Sequence, residues 1–500
     1  MSRVDVDREA SLVQPSRPSI RASSLINTLW TSLFRLWSRV AVQPATTFVL
    51  LSLVFGVVTV FVVPPLRGPD EIAHFLRIYS YTRGELVPTT EFEGRKGTLV
   101  NRELYNQLRF FKDAGEWFAR DREEGIRYGA IMALYREAST NDLEVDQPTM
   151  FMPFAGTEGY NPLAYIPYIV AGVITRPLGL NFPNMLLLMR LFGLITFTAV
   201  AAYAIAVTPV LNWAFVLIAL LPVAIYNRSV LSADGAALCS ALVITALCLN
   251  AMLKSAAPAW QRSLWMTLCA LSKQPQIVFV LLELMVSPIK ELRQRWARVA
   301  IIALPCLILS PMWVVAVSAD VAAWRLQLEE HHPPEHFDPV WKLLYMWDHP
   351  AHFPLAVWRA LSGWGDRLWH EFIGILGWQD ILLHPWIYIV LTILLILVPL
   401  QEWQLDRATR LRVIVISGLT VVAYIVLLYL IFFLTYTPLD IDHVRGVQGR
   451  YFVIALPVAA IFLTAIVNLK SPARMSARVA VIGAMISGSA TIEALFHAHW

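Results

Sequence analysis

No charged residue interrupts the chain between Thr46 and Val63, and runs of this kind recur to its end. A helix needs about 20 consecutive apolar residues to cross the hydrocarbon core, and lipid leaves no partner for an unpaired backbone group. Repeated runs of this length predict an all-α polytopic membrane protein. Composition agrees: of 500 residues, 57% are hydrophobic and 15% charged. The net charge of +4 is small for that length, and the basic residues sit in short clusters between apolar runs. Such clusters set orientation in a membrane and argue against nucleic acid as a partner. Cys239, Cys248, Cys269 and Cys306 lie in or beside apolar runs without CxxC spacing, so they read as small packing residues.

Residues 1–22 are polar and aperiodic, whereas Ile26, Leu29, Trp30, Leu33, Phe34, Trp37 and Val40 recur at helical spacing. Residues 1–43 therefore read as a cytoplasmic tail carrying an interfacial amphipathic helix. Six arginines and no lysine precede the first span, which puts the N-terminus in the cytoplasm and Asp70 outside. Residues 64–160 contain no spanning run and mix both charge signs, as expected of a large helical first outer loop. Further spans are expected at 161–178, 185–207, 211–227, 230–253 and 263–287. Others follow at 299–318, 373–400, 411–435, 451–468 and 477–496, with outer loops near 319–371 and 436–450. The total is about eleven transmembrane helices. Counting each run once leaves Ser232 and Asp234 inside and Lys254 outside. If Ser272-Lys273-Gln274-Pro275 divides 263–287 into two short helices, both assignments reverse, and such half-helices line polar cavities. No internal repeat stands out, so an inverted-repeat transporter gains no support.

Polar groups gather at the ends of these runs. A helix starting after Gly68-Pro69 places Asp70, His74 and Arg77 at i, i+4 and i+7, with Glu71 adjacent. An acid, an imidazole and a guanidinium would then face one space; the alternative is that Asp70 caps the helix and Arg77 pairs with it. Asn161-Pro162, Ser232, Asp234, Lys273, Gln379 and Asp380 mark other ends. Within Asp440 to Tyr451, Gly446 and Gly449 would let backbone amides approach a ligand, and Arg445 and Arg450 offer planar forks suited to phosphate. The alternative is a tight turn with Arg450 reaching to the interface. Lys273 inside a broken apolar run needs a ligand phosphate, a carboxylate such as Glu283, or a carbonyl. Glu329-Glu330-His331-His332-Pro333-Pro334-Glu335-His336 is metal-like in composition, but its prolines argue against regular ligand geometry. GxSxG, Walker and Rossmann patterns are absent, so a serine hydrolase, an energy-coupled pump and a nucleotide enzyme are not indicated.

Several of these motifs occur in a fixed order from about residue 48 onward. They are Pro69-Asp70-Glu71 with Ala73-His74-Phe75, Asn161-Pro162-Leu163 with Tyr165, Arg190-Leu191, and Pro222 leading to Ser232 and Asp234. Lys273-Gln274-Pro275, Gly377-Trp378-Gln379-Asp380 and Gln448-Gly449-Arg450-Tyr451-Phe452 follow. As an ordered set they resemble the bacterial membrane family of domain of unknown function 2142, which usually shows Lys-Pro where this chain has Lys273-Gln274-Pro275. That family is similar to the C-type glycosyltransferases (GT-C), inverting enzymes that take sugars from polyprenyl phosphates and carry an essential acid in the first outer loop. The resemblance implies a GT-C-like transmembrane domain over 44–500, in a bacterial inner membrane with its active site facing the periplasm. Asp70 or Glu71 matches the essential acid.

Such a transfer needs a base for the acceptor hydroxyl and cations for the leaving phosphate. Asp70 is the expected base and Glu71 the second candidate, with a divalent cation (Mg or Mn) on the two carboxylates as an option. His74, Arg77, Lys273, Gln379, Asp380, Arg445, Gln448, Arg450 and Tyr451 are the expected substrate-binding set, the donor a polyprenyl-phosphate-linked sugar, and the acceptor an envelope glycan or lipid. A transporter or flippase of lipid-linked saccharide is the competing reading, with the same charges binding or gating; a scaffold ranks third and would leave the carboxylates dispensable.

Overall fold

Pro64 and Pro65 close the first apolar run, because neither can donate to a continuing helix. In the computed structural model, which describes residues 43–120, 127–140, 149–286, 289–328, 332–469 and 473–500, helix α1 (Pro44–Val62) ends just before them. Leu66 and Asp70 then adopt left-handed φ of 62° and 54°, turning the chain into α2 (Glu71–Thr82). The expected tail and interfacial helix fall on residues 1–42, outside the described residues.

The following loop is not helical throughout. Strands β1 (Thr90–Phe92), β2 (Arg95–Asn101) and β3 (Thr149–Pro153) form an antiparallel sheet in that order, with Phe92 opposite Arg95 and Leu99 opposite Phe151. Glu93 and Gly94, at φ 49° and 72°, supply the two left-handed residues of a tight hairpin turn. Helices α3 (Arg102–Arg120) and α4 (Tyr128–Thr140) lie between β2 and β3, and the Asn101 side chain accepts from Leu104 N at 2.9 Å to cap α3.

The run 161–178 is not a spanning helix. Its α-helical part, α5 (Ile166–Thr175), has 10 residues, which reach about 15 Å, half of a hydrocarbon core. Pro162, Pro167 and Pro177 keep it short. Next come α6 (Phe182–Val207), then α7 (Asn212–Ala219) and α8 (Pro222–Ser229), which share the expected 211–227 run and are divided where Pro222 removes a donor. After α9 (Ala233–Lys254), the 263–287 run is divided: α10 (Ala259–Ser272) stops at Lys273, a 3-10 segment covers Gln274–Leu282, and α11 (Glu283–Val286) follows. The expected division at Ser272-Lys273-Gln274-Pro275 is present, while neither α5 nor the divided 211–227 run forms a helix of spanning length.

Helix α12 (Ile289–Leu328) continues well past the expected end at 318 and contains Pro305 and Pro311. The remaining helices are α13 (Pro339–Asp348), α14 (His352–Ile373), α15 (Pro385–Leu397), α16 (Arg407–Thr435), α17 (Leu456–Val467), entered through a 3-10 segment from Gly449, and α18 (Ala473–His499). The chain is predominantly helical. Among the described residues, seven helices are long and apolar enough to cross a membrane: Pro44–Val62, Phe182–Val207, Ala233–Lys254, Trp296–Val317, Arg407–Thr435, Gly449–Val467 and Met475–His499. Leu411, Val415, Leu419, Val422 and Val426 form an exposed apolar stripe along α16, the surface that lipid rather than water would cover.

One ion pair joins four segments of this bundle. Glu71, fully buried, receives Arg190 Nε at 2.8 Å and Nη2 at 2.6 Å, and its oxygens also accept Gly68 N at 3.1 Å and Leu231 N at 3.0 Å. Arg190 spends its remaining donors on Val63 O (2.7 Å) and Pro64 O (2.9 Å), carbonyls that the end of α1 leaves without helical partners. Removing one member of a buried pair strands the other charge, which costs about 3–5 kcal/mol. Arg190→Met should therefore lower stability by about that amount in detergent unfolding, with Arg190→Met/Glu71→Leu recovering part of it. Arg190→Met indistinguishable from the native protein would contradict this role.

Candidate functional site

Two loop ends and two helix ends meet beside the buried pair. Asp70 occupies the N-cap position of α2, yet its side chain caps nothing. It is 65% exposed and faces Arg450, whose Nη2 lies 3.5 Å from Asp70 Oδ2. The Arg450 guanidinium is 8% exposed, and its Nε lies 3.5 Å from Asp234 Oδ2. Asp234, in the first turn of α9 behind the Ser232 N-cap, pairs through Oδ1 with Lys273. Lys273 Nζ also sits 3.9 Å from the centre of the Tyr451 ring. Carboxylate and cation thus alternate from Asp70 through Arg450 and Asp234 to Lys273, and this net-neutral row is packed in the protein at all but the Asp70 end.

Local chemistry explains why each segment delivers its charge. Lys273 stands at the tip of the α10 hairpin, whose far end is closed by Arg262 and Glu283, paired at 2.8 and 2.7 Å. Glu283 is therefore not the partner of Lys273. Gly449 starts the 3-10 segment where a Cβ would collide with the Leu368 carbonyl of α14, and its N–H donates to Glu371 Oε2 at 2.7 Å. Its smallness serves packing against α14 rather than ligand approach.

Two cavities flank that segment. The first, about 180 Å³, is lined by Asn161, Lys273, Ser310, Trp313, Phe432 and Tyr451. The second, about 380 Å³, is lined by Arg367, Gln379, Tyr436, His443, Arg445 and Gln448. Gln448 Oε1 is buried without a hydrogen-bond partner, and Gln379 is held at φ 63° with its Oε1 3.5 Å from Arg367 Nη2.

The expected residues thus separate into groups. Asp70, Lys273, Arg450 and Tyr451 converge, and His74 lies near enough to feel the charges of Asp70, Asp234, Arg450 and Lys273. Gln379, Arg445 and Gln448 border the second cavity. Glu71, Arg77 and Asp380 are used elsewhere. Asp70 stands before the helix in left-handed backbone, whereas Glu71 opens α2 and turns into the Arg190 fork, so Asp70 stays open. With both Glu71 oxygens occupied, the adjacent carboxylates do not fit a shared divalent cation. Arg77 donates to Ser80 Oγ (3.2 Å) in α2 itself and reaches past the helix end to Glu85 O (3.4 Å) and Leu86 O (2.8 Å), stacked 4.1 Å from the Tyr81 ring. Its long side chain satisfies loop carbonyls instead of facing Asp70. Asp380 is clamped by buried Arg67 at 2.7 Å, and Trp378 Nε1 donates to Leu66 O at 2.9 Å, docking the Gly377–Asp380 turn onto the turn before Asp70. Arg190 and Arg67 were not among the expected site residues; for Arg190 the signal available was an arginine inside an apolar run, which needs a buried acid.

His74 is buried, with Nδ1 2.6 Å from Tyr165 Oη and its ring 5.4 Å from that of Tyr160. Burial pushes its pKa from 6.5 down to about 4, against the pull of Asp70 and Asp234. Between those values an unfolded imidazole is protonated and the folded one is not. The resulting stability is complete above pH 6.5 and is lost as pH falls through the window towards 4. The thermal midpoint should fall more steeply across that window in the native protein than in His74→Gln; equal slopes would contradict a buried neutral ring.

A family model described as predicted membrane protein (DUF2142) matches residues 53–461. No curated protein and no solved structure matches the chain. The match spans the turn that carries Asp70, the α10 hairpin and the segment from Gly449, and the chain belongs to the DUF2142 family of predicted membrane proteins.

Proposed function

We propose that the protein is a GT-C type membrane glycosyltransferase that transfers a sugar, with inversion, from a polyprenyl phosphate to an envelope glycan or lipid. The periplasmic face of a bacterial inner membrane is the proposed side of the reaction. The observation that carries this reading is the alternating row Asp70, Arg450, Asp234 and Lys273, exposed only at Asp70 and bordered by a cavity at Lys273.

The row suggests how a phosphate would enter. Asp234 is buried between both cations, whereas Asp70 is exposed and pairs with Arg450 from the open end of the row, so Asp70 is the partner a phosphate displaces. Arg450 and Lys273 then hold the phosphate, and Asp70 is released to take the proton of the acceptor hydroxyl. The acceptor oxygen bonds to the anomeric carbon as the bond from that carbon to the phosphate oxygen breaks. The electron pair stays on the phosphate, where the two cations stabilise it. Leu271, Leu428 and Ile431 give the first cavity an apolar side suited to a prenyl chain. Glu71 takes no part in proton transfer. A flippase of lipid-linked saccharide is the second reading, favoured by the broken run at Lys273, since transporters bind at discontinuous helices. In that reading Asp70 binds or gates and takes no proton.

Mass spectrometry of envelope glycans and lipid-linked sugars in a deletion strain tests the proposal. Loss of one sugar with accumulation of its polyprenyl-phosphate donor is the expected phenotype, reversed by the native gene. Asp70→Asn at matched expression should reduce transfer by about 100-fold or more, the contribution of a general base. Full restoration by Asp70→Asn would remove Asp70 as base and favour the flippase.

A further inference from the structure

We propose that His332, His336 and Asp440 form a binding site for a zinc-like divalent transition metal, separate from the Asp70 row. The two histidines flank the entry to a 3-10 turn, Pro334–Phe337, that follows α12. His336 N donates to Pro333 O at 2.9 Å, so the prolines shape the turn instead of spoiling it. The imidazoles stack with centres 6.0 Å apart and planes 26° from parallel. Stacking aims both rings the same way: each Nδ1 lies 3.3 Å from one oxygen, Asp440 Oδ1. The three ligand atoms lie within 4.8 Å of one another.

The 3.3 Å spacing is informative. Good N–H···O bonds are about 2.7–3.2 Å, and His336 Nδ1 is buried without a hydrogen-bond partner. A tetrahedral zinc site with bonds of about 2.0–2.1 Å has ligands about 3.3–3.4 Å apart along each edge. The two nitrogen-to-oxygen separations match two edges of such a site. Two imidazoles with one carboxylate favour zinc over magnesium or calcium, which prefer oxygen alone. The histidine side chains are about 20% exposed and Asp440 53%, leaving a fourth position open to water.

Asp440 precedes Arg445 and Gln448 in the connection from α16 to Gly449, and those two residues line the larger cavity. A metal at Asp440 would tie that connection to the turn after α12. The inference does not rest on the proposed reaction.

Full-length protein in detergent, stripped with EDTA, dialysed and equilibrated with zinc alone or cobalt alone, tests the site. A single metal ion per chain and a tetrahedral cobalt absorption spectrum are expected, with zinc raising the thermal midpoint. His336→Gln and Asp440→Asn should each weaken zinc binding at least about tenfold, the lower bound for losing even an outer partner of a metal ligand. His384→Gln, at an exposed helix start, should bind as the native protein does. If His336→Gln aggregates, the half-exposed Asp440→Asn carries the test. Failure of the native protein to retain zinc, or unchanged affinity in Asp440→Asn, overturns the site.

Discussion

The Glu71–Arg190 pair is the constraint on which the rest of the arrangement depends. It holds the end of α1 through two carbonyls, the start of α2 through Glu71 itself, α6 through Arg190, and the approach to α9 through Leu231 N. Asp70 is the residue before Glu71, and Ser232 and Asp234 lie just beyond Leu231. Fixing one buried carboxylate between these segments therefore brings two others to the same place. In a low-dielectric interior such a fork is stable only when its lone pairs and protons are all used, and here backbone amides and carbonyls complete it.

Two further clamps set the distances around that centre. Arg262 and Glu283 close the base of the α10 hairpin and leave Lys273 at its tip. Arg67 and Asp380 fasten the Gly377–Asp380 turn beside the turn leading to Asp70. Each clamp pairs an arginine with an acid distant in sequence. The Asp70 row is the exception, since its outer member is exposed and its contact long.

The sequence and the fold agree where hydrophobic length decides and part where side-chain reach decides. Long apolar runs such as α1, α6, α9 and α16 were legible from charge-free length. The 161–178 run has apolar composition without helical length, because its prolines break it, and hydropathy does not separate the two. The Glu93-Gly94 hairpin left a turn signal, but three short strands amid helical patterns were too weak to read. At the site, periodicity directed attention to Asp70 and His74, which lie beside the charges of Arg450 and Asp234. It failed at Arg77, since spacing fixes where a long side chain begins and not which carbonyl it reaches. It failed also at Glu71, where adjacency in sequence was taken for adjacency in space.

The left-handed backbone at Asp70 restricts what that position can hold. Aspartate, asparagine and glycine enter that region readily, while a longer or branched side chain meets steric resistance. Of those residues aspartate alone carries a charge. Aspartate is thus the anion that suits this backbone best, its short carboxylate held close to the main chain.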